Sequence, residues 1–179
     1  MTEINRRTFV TGATALGITA IGGLGTLTPR QARAQSLPFA ALEQTQARMA
    51  EGLGEAMVPG AKVAGIAHYL DWQLSHPESS LLMAKYLGVN PESQLEFYTA
   101  GLDAASATLN SVADMTLEQL VDAMATDSVG PHWQGPPAGF FFFLLRADAL
   151  DVVYGDVSGY ESLGLPYAAH LDVPSRWRS

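Results

Sequence analysis

The stretch Pro136-Pro137-Ala138-Gly139-Phe140-Phe141-Phe142-Phe143-Leu144-Leu145-Arg146-Ala147-Asp148-Ala149-Leu150-Asp151-Val152-Val153-Tyr154-Gly155 decides the fold. Two prolines precede it, and Gly155 ends it. The six consecutive apolar residues from Phe140 to Leu145 cover every side of a helix and leave none for water. Such a helix needs other elements all round it. Two readings follow. It is the central core helix of its own domain, or it is buried partly by its own domain and partly by a second protein, as in an obligate interface.

Outward from this stretch the chain reads as further helices. Phe39, Leu42, Met49, Leu53 and Met57 recur mostly in steps of three, four or seven and predict a helix over 39–57. Pro59-Gly60 stops it. Val63, Ile66, Leu70 and Leu74 predict a second helix over 61–74, and His76-Pro77 breaks the chain before a short helix over 78–87. Asn90-Pro91 is a start signal, since the Asn side chain can accept free N–H groups and proline sits where no donor is needed. The helix behind it carries Leu95, Tyr98, Leu102, Ala105 and Leu109 on one side. Thr116 with Gln119 predicts a capping box for a helix through Met124, and 127–135 reads as a loop. From Gly155 to Ser179 glycines, prolines and aromatics occur without periodicity. The expected fold is all-α: five to six helices in a compact bundle with an extended C-terminal arm.

The N-terminus is a segment apart. Arg6-Arg7 is followed by Phe9, then by a weakly apolar stretch from Val10 to Leu27, then by Ala32-Arg33-Ala34. A basic region, an apolar region and a small-x-small triplet make a secretory leader, and the paired arginines point to the twin-arginine route. Glycines and threonines in the stretch weaken the alternative of a membrane span. Residues 1–34 are expected to leave by cleavage after Ala34, with 35–179 as a single helical domain. The leader takes four arginines and one glutamate with it, so the remainder is more acidic than the −8 of the whole chain.

Composition excludes several functions. With 18 acidic against 10 basic residues the chain lacks the basic stripe of a nucleic-acid binder. Without cysteine there is no disulfide framework, iron–sulfur cluster, thiolate metal site or cysteine nucleophile. His68, His76, His132 and His170 form no pair at helical ligand spacing, although His68 and Asp71 share a helix face. Asp148 and Asp151 stand beside Arg146 and read as a solvated or salt-bridged face rather than an acid–base pair. No serine sits in a nucleophile elbow, and no glycine-rich phosphate loop is present. No catalytic, cofactor-binding or metal-ligating set emerges.

One resemblance adds to this. The residues from Phe140 to Tyr167, FFFFLLRADALDVVYGDVSGYESLGLPY, resemble the C-terminal signature of the gluconate 2-dehydrogenase subunit 3 family. The matching positions are Phe142, Phe143, Leu145, Arg146, Leu150, Tyr154, Gly155, Asp156, Gly159 and Tyr160. Gly164–Tyr167 is similar to the family's closing Gly-Tyr-Pro-Gly. The family's Gly-Asn followed by Trp is missing, and Trp177 follows the Pro166 turn instead, so the likeness is to a divergent branch.

The resemblance implies a small, non-catalytic, exported subunit of a heteromeric dehydrogenase. Its partner would be a large flavoprotein of the glucose-methanol-choline (GMC) type carrying FAD, often with a cytochrome c subunit as electron acceptor. In such complexes the small subunit carries the export signal for both and stabilises the large one. The location implied is periplasmic, or membrane-associated through partners. The aromatic residues expected to meet the partner are Phe140, Phe141, Phe142, Phe143, Tyr154, Tyr160, Tyr167 and Trp177. Two other readings compete. One is a stand-alone periplasmic helical module binding an apolar ligand between Phe39, Met49, Met57 and the phenylalanine run. The other is a small metal-dependent enzyme using His68, His132 or His170.

Overall fold

The computed structural model describes residues 18–19, 26–76, 81–155 and 157–164. A two-residue antiparallel pair, β1 (Ile18–Thr19) and β2 (Thr26–Leu27), sets Ile18 opposite Leu27. Everything else regular among the described residues is helical. The helices are α1 (Pro29–Ala34), α2 (Gln44–Met57), α3 (Ala61–Ala64), α4 (Ile66–Ser75), α5 (Leu82–Tyr86), α6 (Pro91–Ser111), α7 (Leu117–Ala125), α8 (Ala138–Tyr154) and α9 (Val157–Ser162). The chain is all-α, with more helices than the sequence predicts because α1, α3, α5 and α9 are only four to six residues long.

The helix α8 is the axis of the molecule. It touches α2, α3, α4, α5, α6, α7 and α9. Phe141, Leu144, Leu145 and Ala149 are fully buried, and Ala138 and Val152 nearly so. Burying an aromatic or branched side chain of this size is worth about 1.5–3 kcal/mol, so α8 contributes a large share of the core. Its apolar run therefore serves mainly the chain's own interior. Phe141 fits because α6 passes it at Gly101, where an added Cβ would run into the ring.

Elsewhere the elements depart from expectation for identifiable reasons. The helix expected over 39–57 begins at Gln44. Ahead of it the Asp71 carboxylate accepts the N–H groups of Ala40, Ala41 and Leu42 at 2.8–3.0 Å and holds them out of a helix. The helix expected over 61–74 is two helices, broken where Gly65 takes φ +91°. Its N–H caps α3 by bonding back to Ala61 and Lys62, and Ile66, Leu70 and Leu74 are buried on α4 while Val63 is exposed. Asn90 stands at the start of α6 without a side-chain cap bond; Ser93 instead bonds the Asn90 carbonyl through both N–H and hydroxyl. Thr116 and Gln119 do form the capping box of α7, at 2.9 and 3.2 Å. The expected extended arm begins with the short helix α9, packed on α8.

Among the described residues no helix is long and apolar enough to cross a membrane. Arg6, Arg7 and Phe9 of the expected leader, and Tyr167, His170 and Trp177 of the expected arm, lie outside the described residues.

Candidate functional site

The phenylalanine run divides by direction. On a helix neighbouring residues point about 100° apart, so four in a row cannot share one environment. Phe141 is wholly internal and unavailable to any partner, which corrects its place among the expected contacts. Phe140 is half-buried, edge-on to Phe97 with ring centres 5.6 Å apart. Phe142 is half-buried as well, and Phe143 stands 49% exposed. Further along, Tyr154 is half-buried and Tyr160 on α9 is exposed, with Leu163 beyond it. Met83 and Tyr86 on α5, and Leu87 after it, are exposed too. Val63 on α3 and Leu95 on α6 are exposed as well; the other exposed large apolar residues lie on or next to α5, α8 and α9, and α5 and α9 both pack on α8.

A second feature is a polar cluster that the sequence pattern places wrongly. Asp148 is not on a solvated face: it is buried, and the Tyr98 hydroxyl donates to its Oδ2 at 2.5 Å. Burial pushes the pKa of the Asp148 carboxyl up to about 8, against the pull of the Tyr98 bond, with the Asp151 charge adding to the rise. Burial likewise raises Tyr98 and Tyr69, and the nearby Asp148 carboxylate disfavours ionisation of either phenol. The cluster holds a proton at neutral pH inside the junction of α4, α6 and α8. Its signal in the sequence is register. The core positions on α8 run through Phe141, Leu144, Leu145, Asp148, Ala149 and Val152, and Asp148 falls among them.

The His68–Asp71 pair acts on the chain's own backbone. His68 is buried, its Nε2 lies 3.1 Å from the Leu37 carbonyl, and its ring meets Phe39 at 4.6 Å. Burial pushes the His68 pKa down and favours a neutral ring, in which Nε2–H donates to that carbonyl. His68 and Asp71 together pin residues 37–42 against α4. His132 is exposed in the 127–135 loop. Among the described residues no group of three or more His, Asp or Glu side chains could hold a metal ion.

A concavity of about 400 Å³ is open to solvent between α1, the turn that follows it and α2. Arg33, Arg48, Glu51 and Ser36 line it together with Phe39 and His68. Met49 opens onto a different one of about 250 Å³. Phe39 and Met49, named for an apolar pocket, therefore face separate cavities, the larger one rimmed by charge.

No family model matches the chain, and no curated protein or solved structure is significantly similar to it.

Proposed function

We propose that this chain is the small, non-catalytic subunit of an exported FAD-dependent dehydrogenase of GMC type. The large flavoprotein partner would oxidise a sugar, polyol or alcohol and pass electrons on, in complexes of this kind often to a cytochrome c subunit. The present chain would stabilise that partner and carry it through the twin-arginine route. Two features of the sequence support this reading: the twin-arginine leader and the resemblance over 140–167.

The structural observation that carries it is Phe143. It occupies one of the positions of the resemblance and keeps half its surface in water, on the helix whose Phe141, Leu144 and Leu145 fill the chain's own core. An aromatic side chain of this size is a frequent anchor at protein interfaces. With Met83, Tyr86 and Tyr160 on neighbouring elements it supplies the apolar material that a partner would cover.

The test is localisation. In cells carrying both chains, the flavoprotein activity is expected outside the cytoplasm. Replacing Arg6 and Arg7 together by lysine should leave that activity in the cytoplasm. A flavoprotein exported equally well without this chain would end the proposal.

A further inference from the structure

The expected cleavage triplet Ala32-Arg33-Ala34 lies within α1, and α1 is a docked element. Its start is closed by a capping box: the Thr28 hydroxyl accepts the Gln31 N–H at 3.2 Å, and the Gln31 side chain accepts the Thr28 N–H at 2.9 Å. Pro29 occupies the first helical position and is buried. Ala32 is fully buried. Arg33 donates from Nε to Glu51 on α2 at 2.8 Å, in a half-buried pair that Lys62 approaches at 3.8 Å. The seat for this helix is formed by α3 and α4. At their junction Gly65 lets the Pro29 carbonyl come so close that any Cβ there would collide with it.

A peptidase that reads small-x-small takes both small side chains at once, which requires an extended chain, where residues two apart face the same way. In a helix they point about 200° apart. Here Ala32 faces the interior and Ala34 faces solvent. The two alanines cannot be presented together while α1 keeps its place.

We propose that docking of α1 on α3 and α4 masks the processing site, so that cleavage after Ala34 draws only on chains whose α1 has left its seat. The proposal rests on the export reading above. The observed cleavage rate is then the intrinsic rate multiplied by the undocked fraction. Folding of the domain and removal of the leader are coupled through six residues.

The test is cleavage of the purified, folded full chain by signal peptidase in detergent, followed by intact mass. The comparison is a synthetic peptide of residues 26–40. The peptide is expected to be cut after Ala34 roughly tenfold faster than the folded chain, or more. Glu51→Lys repels Arg33 and leaves the triplet untouched; it should raise the rate for the folded chain several-fold. Thr28→Ala removes the cap from an exposed position and should do the same, and it serves if Glu51→Lys does not fold by circular dichroism. A folded wild-type chain cut as fast as the peptide overturns the masking. So do variants cut no faster than wild type. A peptide left uncut after Ala34 removes the processing site itself and the proposal with it, whereas partner binding is measured separately by co-purification.

Discussion

Burial raises the Asp148 pKa to about 8 because the Tyr98 bond only partly offsets the cost of a buried charge. Its hydrogen-bond donor, Tyr98, is neutral, and both are buried. The consequence for stability has a definite sign. The folded value, about 8, lies above the ordinary value of 3.8, so folding takes up a proton between those limits. Stability contributed at this site is therefore fully present below about pH 4, falls as pH rises through the window, and levels off above about pH 8. A tenfold change in proton affinity is worth about 1.36 kcal/mol, which makes the whole fall of the order of a few kcal/mol. His68, pushed down by burial, acts in the opposite sense: its contribution is lost as pH falls below about 6.5. Asp148→Asn keeps an acceptor for Tyr98 and removes the titration. Urea midpoints of wild type and variant, compared from pH 5 to 8.5, should diverge steadily with the variant gaining at high pH. Parallel curves would mean a solvated Asp148. In the sequence Asp148 is a charge beside other charges, and charge next to Arg146 reads as surface. Its place in the core register of α8 is the better guide, because burial on a helix follows spacing rather than polarity.

At the scale of elements, the boundaries are set by contacts between segments far apart in the chain. The apolar spacing from Val63 to Leu74 runs straight through Gly65 and predicts one helix. The break exists because α1 crosses there and because Gly65 adopts φ +91°. Gly65→Ala is expected to cost about 1–3 kcal/mol from backbone strain, with more from the clash with Pro29. A fall in melting temperature of several degrees, together with faster leader cleavage, is the expected result. An unchanged melting temperature would show that α1 is not seated at Gly65. Residues 40–42 tell the same story from the other side. Leu42 belongs to a helical pattern, yet a carboxylate some thirty residues away claims its N–H and those of its two neighbours. The local signal at Thr116 and Gln119 forms its capping box, whereas Asn90 starts its helix without the side-chain cap. Nothing in the local sequence could reveal a capture by Asp71.

At the scale of the whole molecule, α8 buries Phe141, Leu144 and Leu145 in the chain's own core and leaves Phe143 half in water. The fold does not need that residue inside, and the proposed partner would meet the chain there. The helical class was legible because apolar residues recur in steps of three and four along most of the chain. The surface was not legible, since the sequence cannot say which of four adjacent phenylalanines turns outward. Replacing Phe143 by Asp should cost about 1–2 kcal/mol, because half of the ring is covered by the chain itself, and leave the chain folded. The decisive experiment is co-expression of this chain, tagged, with the flavoprotein it is proposed to escort. Affinity purification should yield a yellow two-subunit complex with wild type, and a colourless chain with Phe143→Asp that is still folded by circular dichroism. A colourless, stable, monodisperse wild-type chain that brings down no flavoprotein would refute the escort role.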